Sequence, residues 1–253
     1  MHRLSRFNLL ARETLSCQNL SCDVFSREMV KHSLSALASL AFFVYLGGCA
    51  HQTRGSVGGC DSIRIPCLDG TATVSLETSK GPILLKLDGT NAPLTAGNFL
   101  DLVNKGVYNQ TLFHRVVKSP LPFVVQGGDP RSSDPKIPAT SYGTGQYIDP
   151  ATGTARNIPL EFRLKATKTF SYGKEIASPN SSFQPLLTHD RGAVAMARSS
   201  DPNSASAQFY IALEALPELD GRYAVFARVV RGMDVVDQLE QGDKIVRATL
   251  LKN

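Results

Sequence analysis

The sequence has no tryptophan and only five cysteines among its 253 residues. Any aromatic surface must therefore be built from Phe and Tyr. It also lacks a clustered run of Lys and Arg: the formal charge of +5 is scattered along the chain. That argues against a nucleic-acid-binding tail. Long apolar runs are scarce as well. Residues 33–46, "SLSALASLAFFVYL", are uncharged but number only 14, whereas a bilayer-spanning helix needs about 20 apolar residues. Cys60 and Cys67 stand seven apart, which is not a strong zinc spacing, and no histidine pair supports them. No metal site and no cofactor are expected.

The short apolar run instead fits the core of a signal peptide, with Arg27 and Lys31 supplying positive charge upstream. It is followed by Leu46-Gly47-Gly48-Cys49, which resembles a bacterial lipobox. Residues 1–48 are then a leader, and Cys49 becomes a lipidated N-terminus that holds the protein on a membrane. Ordinary signal cleavage and an uncleaved anchor helix are the alternatives. Met29 begins a more ordinary signal peptide than Met1 does, so translation is expected to start there. Residues 49–70, rich in Gly, Ser and Thr, read as a flexible tether. In an exported segment Cys60 and Cys67 can form a local disulfide or remain free thiols.

From Thr71 the chain has the composition of a folded domain, and 42% of all residues are hydrophobic. Alternation over 71–78 and 82–87 predicts a β-hairpin. Pro93 opens a helix whose apolar positions are Ala96, Phe99, Leu100 and Val103, and Gly106 stops it. Short strand-like runs follow, and a second short helix carries Met233, Val236 and Leu239 on one face and ends at Gly242. "KIVRATLL" closes the chain as a strand. Residues 129–188 are punctuated by prolines and read mostly as loop and turn, with a short strand at 158–162. A structureless segment of that length is unusual in a compact domain, so it is an elaboration or a functional insertion. Many short strands with one early and one late helix predict a mostly β fold, a closed β-barrel covered by two helices.

Three blocks carry the chemistry: "FHRVVKSPLPFVVQGGDP" (113–130), "GAVAMARSSDPNSASAQFYIAL" (192–213) and "LPELDGRYAVFARVVRGMDVVDQL" (216–239). In order and spacing they resemble the cyclophilins, the peptidyl-prolyl cis–trans isomerases, over residues 71–253. The long 129–188 segment and the lipobox make the chain most similar to exported bacterial members, cyanobacterial ones included. The resemblance implies an eight-stranded antiparallel β-barrel with its active groove on the outer surface. It also implies proline-containing polypeptides as partners, a role in folding outside the cytoplasm, and a location in the periplasm or the thylakoid lumen.

Such a reaction needs neither nucleophile nor metal. Resonance sets a barrier of about 18–20 kcal/mol to rotation about the peptide bond. A catalyst must weaken that resonance and hold the twisted state. A guanidinium can donate to the prolyl nitrogen as it turns pyramidal, a contact that strengthens only in the transition state. The resemblance assigns this role to Arg115, with Gln126 as a catalytic partner and Gln208 as a second orienting amide. Phe123, Val124, Tyr210 and Leu219 match the pocket for the proline ring. Ala197 and Arg198 match the segment whose backbone binds substrate, and Tyr223 caps one wall. Gly127 and Gly128 serve a tight turn or a close backbone approach. His114 is read as structural, because alternation along a strand points it away from Arg115.

The chain departs from the family pattern at several of these places. Val124 stands where methionine is common, Tyr210 replaces a phenylalanine, and Arg198 replaces a frequent asparagine. Glu218 stands where many members carry a tryptophan that donates to cyclosporin, and Tyr223 where they carry histidine. Weak cyclosporin binding is expected from this. "KSPLP", 118–122, lengthens the loop after Arg115, and Phe123 shares a groove with Arg115 only if that loop bulges without shifting the strands. The altered groove leaves a second reading open, a non-catalytic module that binds proline-containing segments in the cell envelope.

Overall fold

The computed structural model describes Cys60, residues 65–176 and residues 183–252. The expected leader 1–48, the start at Met29 and the lipidation candidate Cys49 lie outside the described residues. All described residues belong to the unit Gln52–Asn253.

In chain order the elements are β1 (Thr71–Thr78), β2 (Gly81–Asp88), α1 (Pro93–Asn104), β3 (Arg115–Val116) and β4 (Val124–Gly127). Then come β5 (Ile148–Asp149), β6 (Thr154–Ala155), β7 (Glu161–Arg163), β8 (Phe170–Tyr172), β9 (Ala193–Met196) and β10 (Phe209–Ala212). The chain closes with β11 (Val225–Arg231), α2 (Met233–Gln238) and β12 (Ile245–Leu251). The expected hairpin is β1–β2, paired without a slip from Thr71 opposite Asp88 to Thr78 opposite Gly81. The expected helices are α1 and α2.

Eight strands form one antiparallel sheet in the order β12-β1-β2-β11-β9-β10-β4-β3. The sheet curls but does not close as a barrel, which corrects the sequence-based expectation. Its end strands, β3 and β12, do not pair with each other among the described residues. The chain ahead of β3 reaches β12 and the residues before it through the isolated bridge Leu112–Lys244 and through bonds such as Ile245 N–H to Thr111 O at 2.8 Å. β3 is only two residues long, so it has too little ladder to complete the ring.

Two buried faces explain why β9 and β10 read as continuous apolar runs rather than alternating ones. Val125, Val194, Met196, Phe209 and Ile211 point into the main core with α1. There Phe99 of α1 meets Tyr108, Phe209 and Phe226 at centroid distances of 4.8–5.3 Å. Val124, Ala193, Ala195, Tyr210 and Ala212 point to the opposite face and form a second apolar cluster. Burying each large side chain contributes about 1.5–3 kcal/mol.

α1 begins without a side-chain cap of its own at Ala92. Its free N-terminal donors are taken by Glu161 of β7, which accepts from Leu94 N at 3.1 Å, Thr95 N at 2.8 Å and Thr95 Oγ1 at 2.7 Å. Glu161 is 1% exposed, and burial pushes its carboxyl up while these donors oppose the shift. The segment 129–188 is thereby fastened to the domain. It is not mere loop: β5–β6 and β7–β8 are small hairpins outside the main sheet. The short strand expected at 158–162 is displaced to Glu161–Arg163, with Ile158 in an isolated bridge to Ala205.

The end of the expected tether is also packed. Ile65 is buried, Leu68 N–H donates to Pro93 O at 3.0 Å, and a disulfide joins Cys60 to Cys67. A Cβ at Gly97 would run into the Pro66 carbonyl, so glycine lets this segment lie on α1.

Candidate active site

β3 and β4 set the register of the groove, with Arg115 opposite Gln126 and Val116 opposite Val125. The pairing continues to the loop through Val117 N–H to Val124 O at 2.9 Å and Phe123 N–H to Val117 O at 3.0 Å. Residues 118–122 therefore bulge and leave the ladder aligned. Lys118 pins the bulge by donating to the carbonyls of Asp237 and Leu239 at the C-terminal end of α2, both at 2.6 Å. Cations suit that end of a helix. Arg115 and Phe123 stand side by side: the guanidinium carbon lies 5.8 Å from the Phe123 ring centroid.

Arg115, Phe123, Val124, Gln126, Ala197, Arg198, Tyr210, Leu219 and Tyr223 line one cavity of ≈ 250 Å³. Gln208 lies in an adjoining cavity of ≈ 350 Å³, which shares Gln126, Ala197 and Arg198 and is walled by Gly143–Gln146 of the insertion. The expected residues thus meet in one place, from β3, β4 and β10 with the residues just before β4 and β10, the segment after β9 and the turn before β11. Tyr210 stands opposite Gln126 on one side and Ala195 on the other, which aims it at the groove.

Arg115 is exposed, while the floor beneath it is apolar. Its Nη1 donates to Gln126 Oε1 at 3.4 Å, a loose bond that leaves the other N–H groups free. Gln126 Nε2 donates to Gln208 Oε1 at 3.2 Å, and Gln208 Nε2 to Gly145 O at 2.8 Å. The chain of amide contacts that begins at Arg115 therefore ends on the insertion. Buried Asp129 holds that part of the insertion by accepting from Arg131 N at 2.8 Å, Gly143 N at 2.6 Å and Gly145 N at 3.0 Å.

Gly127 and Gly128 fit the close approach expected of them. A Cβ at Gly127 would meet Phe113 at 2.8 Å, and one at Gly128, where φ is +78°, would meet Phe209 and Tyr108 at 2.9 Å.

Arg198 is spent on the wall. Its guanidinium donates to the Arg222 carbonyl at 2.7 and 2.9 Å, pairs with Glu175 and lies 4.9 Å over Tyr223. Tyr223 in turn stands edge-on to Tyr210 at 5.7 Å. His114 packs against Gly143 on the insertion. Burial holds its imidazole below the ordinary range, and Asp129 opposes that.

Sequence reasoning missed the polar support under the floor. The Tyr210 hydroxyl meets His189 Nε2 at 2.9 Å, and His189 Nδ1 meets Asp220 Oδ1 at 2.8 Å. Burial lowers the His189 pKa, with Asp220 opposing. A base whose folded pKa is depressed favours folding above its unfolded value and loses that stability as pH falls. The ordinary histidine value is about 6.5. Melting temperature is accordingly expected to fall as pH drops below that value, and more steeply in the wild type than in His189→Gln. Melting curves followed by circular dichroism between neutral and mildly acid pH check this; equal slopes would contradict it. Among the described residues no group of three or more His, Cys, Asp or Glu gathers to hold a metal ion.

A family model for "Cyclophilin type peptidyl-prolyl cis-trans isomerase/CLD" matches residues 73–252. A protein of Synechocystis sp. named a thylakoid lumen peptidyl-prolyl cis-trans isomerase is 38% identical over 197 residues, covering 74% of this chain and 48% of its own length. The chain thus spans about half of that relative. A peptidyl-prolyl cis-trans isomerase of Brucella suis is 33% identical over 229 residues, covering 85% of this chain and 95% of its own. Among solved structures, a cyclophilin of Cryptosporidium parvum in the presence of the dipeptide Ala-Pro is 26% identical with a TM-score of 0.52, covering 72% of this chain and 99% of that one.

Proposed function

Because the chain belongs to the cyclophilin-type peptidyl-prolyl cis–trans isomerases, we propose that its groove binds X–Pro segments and catalyses rotation about the X–Pro bond. The observation that carries this reading is the placement of an exposed, amide-held guanidinium, Arg115, beside Phe123 at the rim of an apolar floor. The proline ring enters over Val124, Tyr210 and Leu219. Gln126 orients Arg115 and the peptide, with Gln208 behind it. As the bond twists, the prolyl nitrogen gains a lone pair and accepts from the free N–H groups of Arg115. That bond is weak in the planar ground state, so the interaction lowers the barrier rather than merely tightening binding. The planar fork matters: lysine offers a point charge without it.

Full-length chain in a protease-coupled isomerisation assay on an Ala-Pro tetrapeptide tests the reading. Acceleration over the uncatalysed rate is expected, and a rate equal to the blank would refute it.

The likeness to a thylakoid lumen protein, the signal-like stretch 33–46 and the lipobox support an exported isomerase anchored through Cys49. Mass spectrometry of the mature N-terminus distinguishes a lipidated Cys49 from simple cleavage.

Glu218, exposed at the groove's edge, offers no indole donor. Cyclosporin is therefore expected to inhibit weakly, and Glu218→Trp to strengthen inhibition by about fivefold or more, the worth of one regained hydrogen bond. Inhibition titrations of both proteins check this; a nanomolar constant for the wild type would contradict it.

A further inference from the structure

The tyrosine in the groove floor is tethered from behind. Tyr210 is 5% exposed and His189 2% exposed. His189 Nδ1 and its backbone N–H both point at Asp220 Oδ1, at 2.8 and 2.9 Å. A carboxylate only accepts, so Nδ1 carries the ring proton and Nε2 is left as an acceptor. The Tyr210 O–H, 2.9 Å away, must donate to it. Burial raises the Tyr210 phenol far above its ordinary range, so it stays protonated and able to donate. The hydroxyl is thereby turned into the protein, and the groove sees only the ring.

The three residues come from separate places: Tyr210 from β10, His189 from the segment before β9, and Asp220 from the turn next to Leu219. Leu219 and Tyr210 both line the groove. The chain of bonds therefore ties floor to wall. Tyr210 and His189 lie nearly parallel at 14° with centroids 6.0 Å apart, which limits tilting of the phenol ring.

We propose that His189 is a positioning residue of the isomerase groove: backed by Asp220, it holds the Tyr210 hydroxyl away from the proline ring and fixes the pocket's width. This inference rests on reading the groove as an isomerase site. A histidine that only stabilised the fold would not change substrate affinity through Tyr210. Protonation of His189 makes Nε2 a donor, and the phenol proton must then turn away from it. The charged groups facing His189 are Asp220, Glu218 and Asp190, all of which favour protonation. Arg228 engages Asp190, and Arg198 acts on the Tyr210 side.

The test is steady-state kinetics on an Ala-Pro tetrapeptide with the full chain in four forms: wild type, His189→Leu, Tyr210→Phe and the double variant. In the wild-type background His189→Leu is expected to raise KM about five- to tenfold with little change in kcat, because it orphans a buried hydroxyl in the pocket. In the Tyr210→Phe background the same substitution should change KM by less than about twofold, since no hydroxyl remains to be held. An equal rise in both backgrounds, or none in the wild-type background, overturns the proposal. If His189→Leu does not fold, His189→Gln decides: it keeps an acceptor but cannot protonate, so the wild-type rise in KM at acid pH should vanish. Persistence of that rise overturns the proposal. Absence of turnover by the wild type overturns the isomerase reading instead.

Discussion

Arg115→Ala is expected to lower kcat/KM for an X–Pro tetrapeptide by about 10²–10³-fold, the usual loss when one preorganised transition-state donor is removed. The loss should fall mainly on kcat. Arg115 is exposed and held by a loose bond to Gln126 and a contact with the Phe123 ring, so its removal leaves the apolar floor and its affinity for proline in place. An interaction made only in the transition state shows itself in this split between kcat and KM. Arg115→Lys should recover little, because a single ammonium on a flexible stem cannot replace the planar fork. Stability should hardly change, since no buried group loses a partner. Kinetics and a melting curve on the same preparations check both parts.

Glu161→Ala is expected to be the most destabilising single change in the insertion, lowering unfolding free energy by about 3 kcal/mol or more. The carboxylate serves three donors at the start of α1, all in a buried setting. Truncation orphans each of them and leaves a void. For a domain of this size about 3 kcal/mol corresponds to roughly 6–12 °C in Tm. Glu161→Gln keeps an acceptor and should lose less. With no tryptophan in the chain, urea unfolding is followed by far-ultraviolet circular dichroism. An unchanged midpoint for Glu161→Ala would show that α1 does not depend on this cap.

The hairpin β1–β2, helix α1 and the run of β9, β10 and β11 were legible because their apolar spacing is local. The groove was legible through motif spacing: Arg115, Phe123, Gln126 and Tyr210 were expected together and do meet around one cavity. The regular ladder across 118–122 is consistent with that spacing, because the extra residues are absorbed in the bulge pinned by Lys118.

What stayed hidden is long-range and polar. Glu161 lies 66 residues from Thr95, and nothing in "IPLEF" marks its carboxylate as a helix cap. His189 and Asp220 lie 31 residues apart, and neither carries a spacing that points at Tyr210. A tyrosine in place of phenylalanine was the one available signal, since a buried hydroxyl requires a partner. The hairpins β5–β6 and β7–β8 are too short, at two and three residues a strand, to show a period. The closed barrel failed as an expectation for a related reason: closure depends on the length of the last ladder, and the two residues of β3 leave no period to read.

The central claim, that this groove catalyses rather than merely holds X–Pro segments, is tested most directly by NMR exchange spectroscopy. An Ala-Pro tetrapeptide is mixed with a small molar fraction of the full chain, and cis–trans exchange is read from cross-peaks between the two isomers. Unaided exchange takes tens to hundreds of seconds, about 10–100 s or more, so no cross-peaks arise without catalysis. The account predicts that they appear with the wild type and vanish with Arg115→Ala, while peptide resonances still shift on binding that variant. Binding by the wild type without exchange, or exchange that survives Arg115→Ala unchanged, would contradict it.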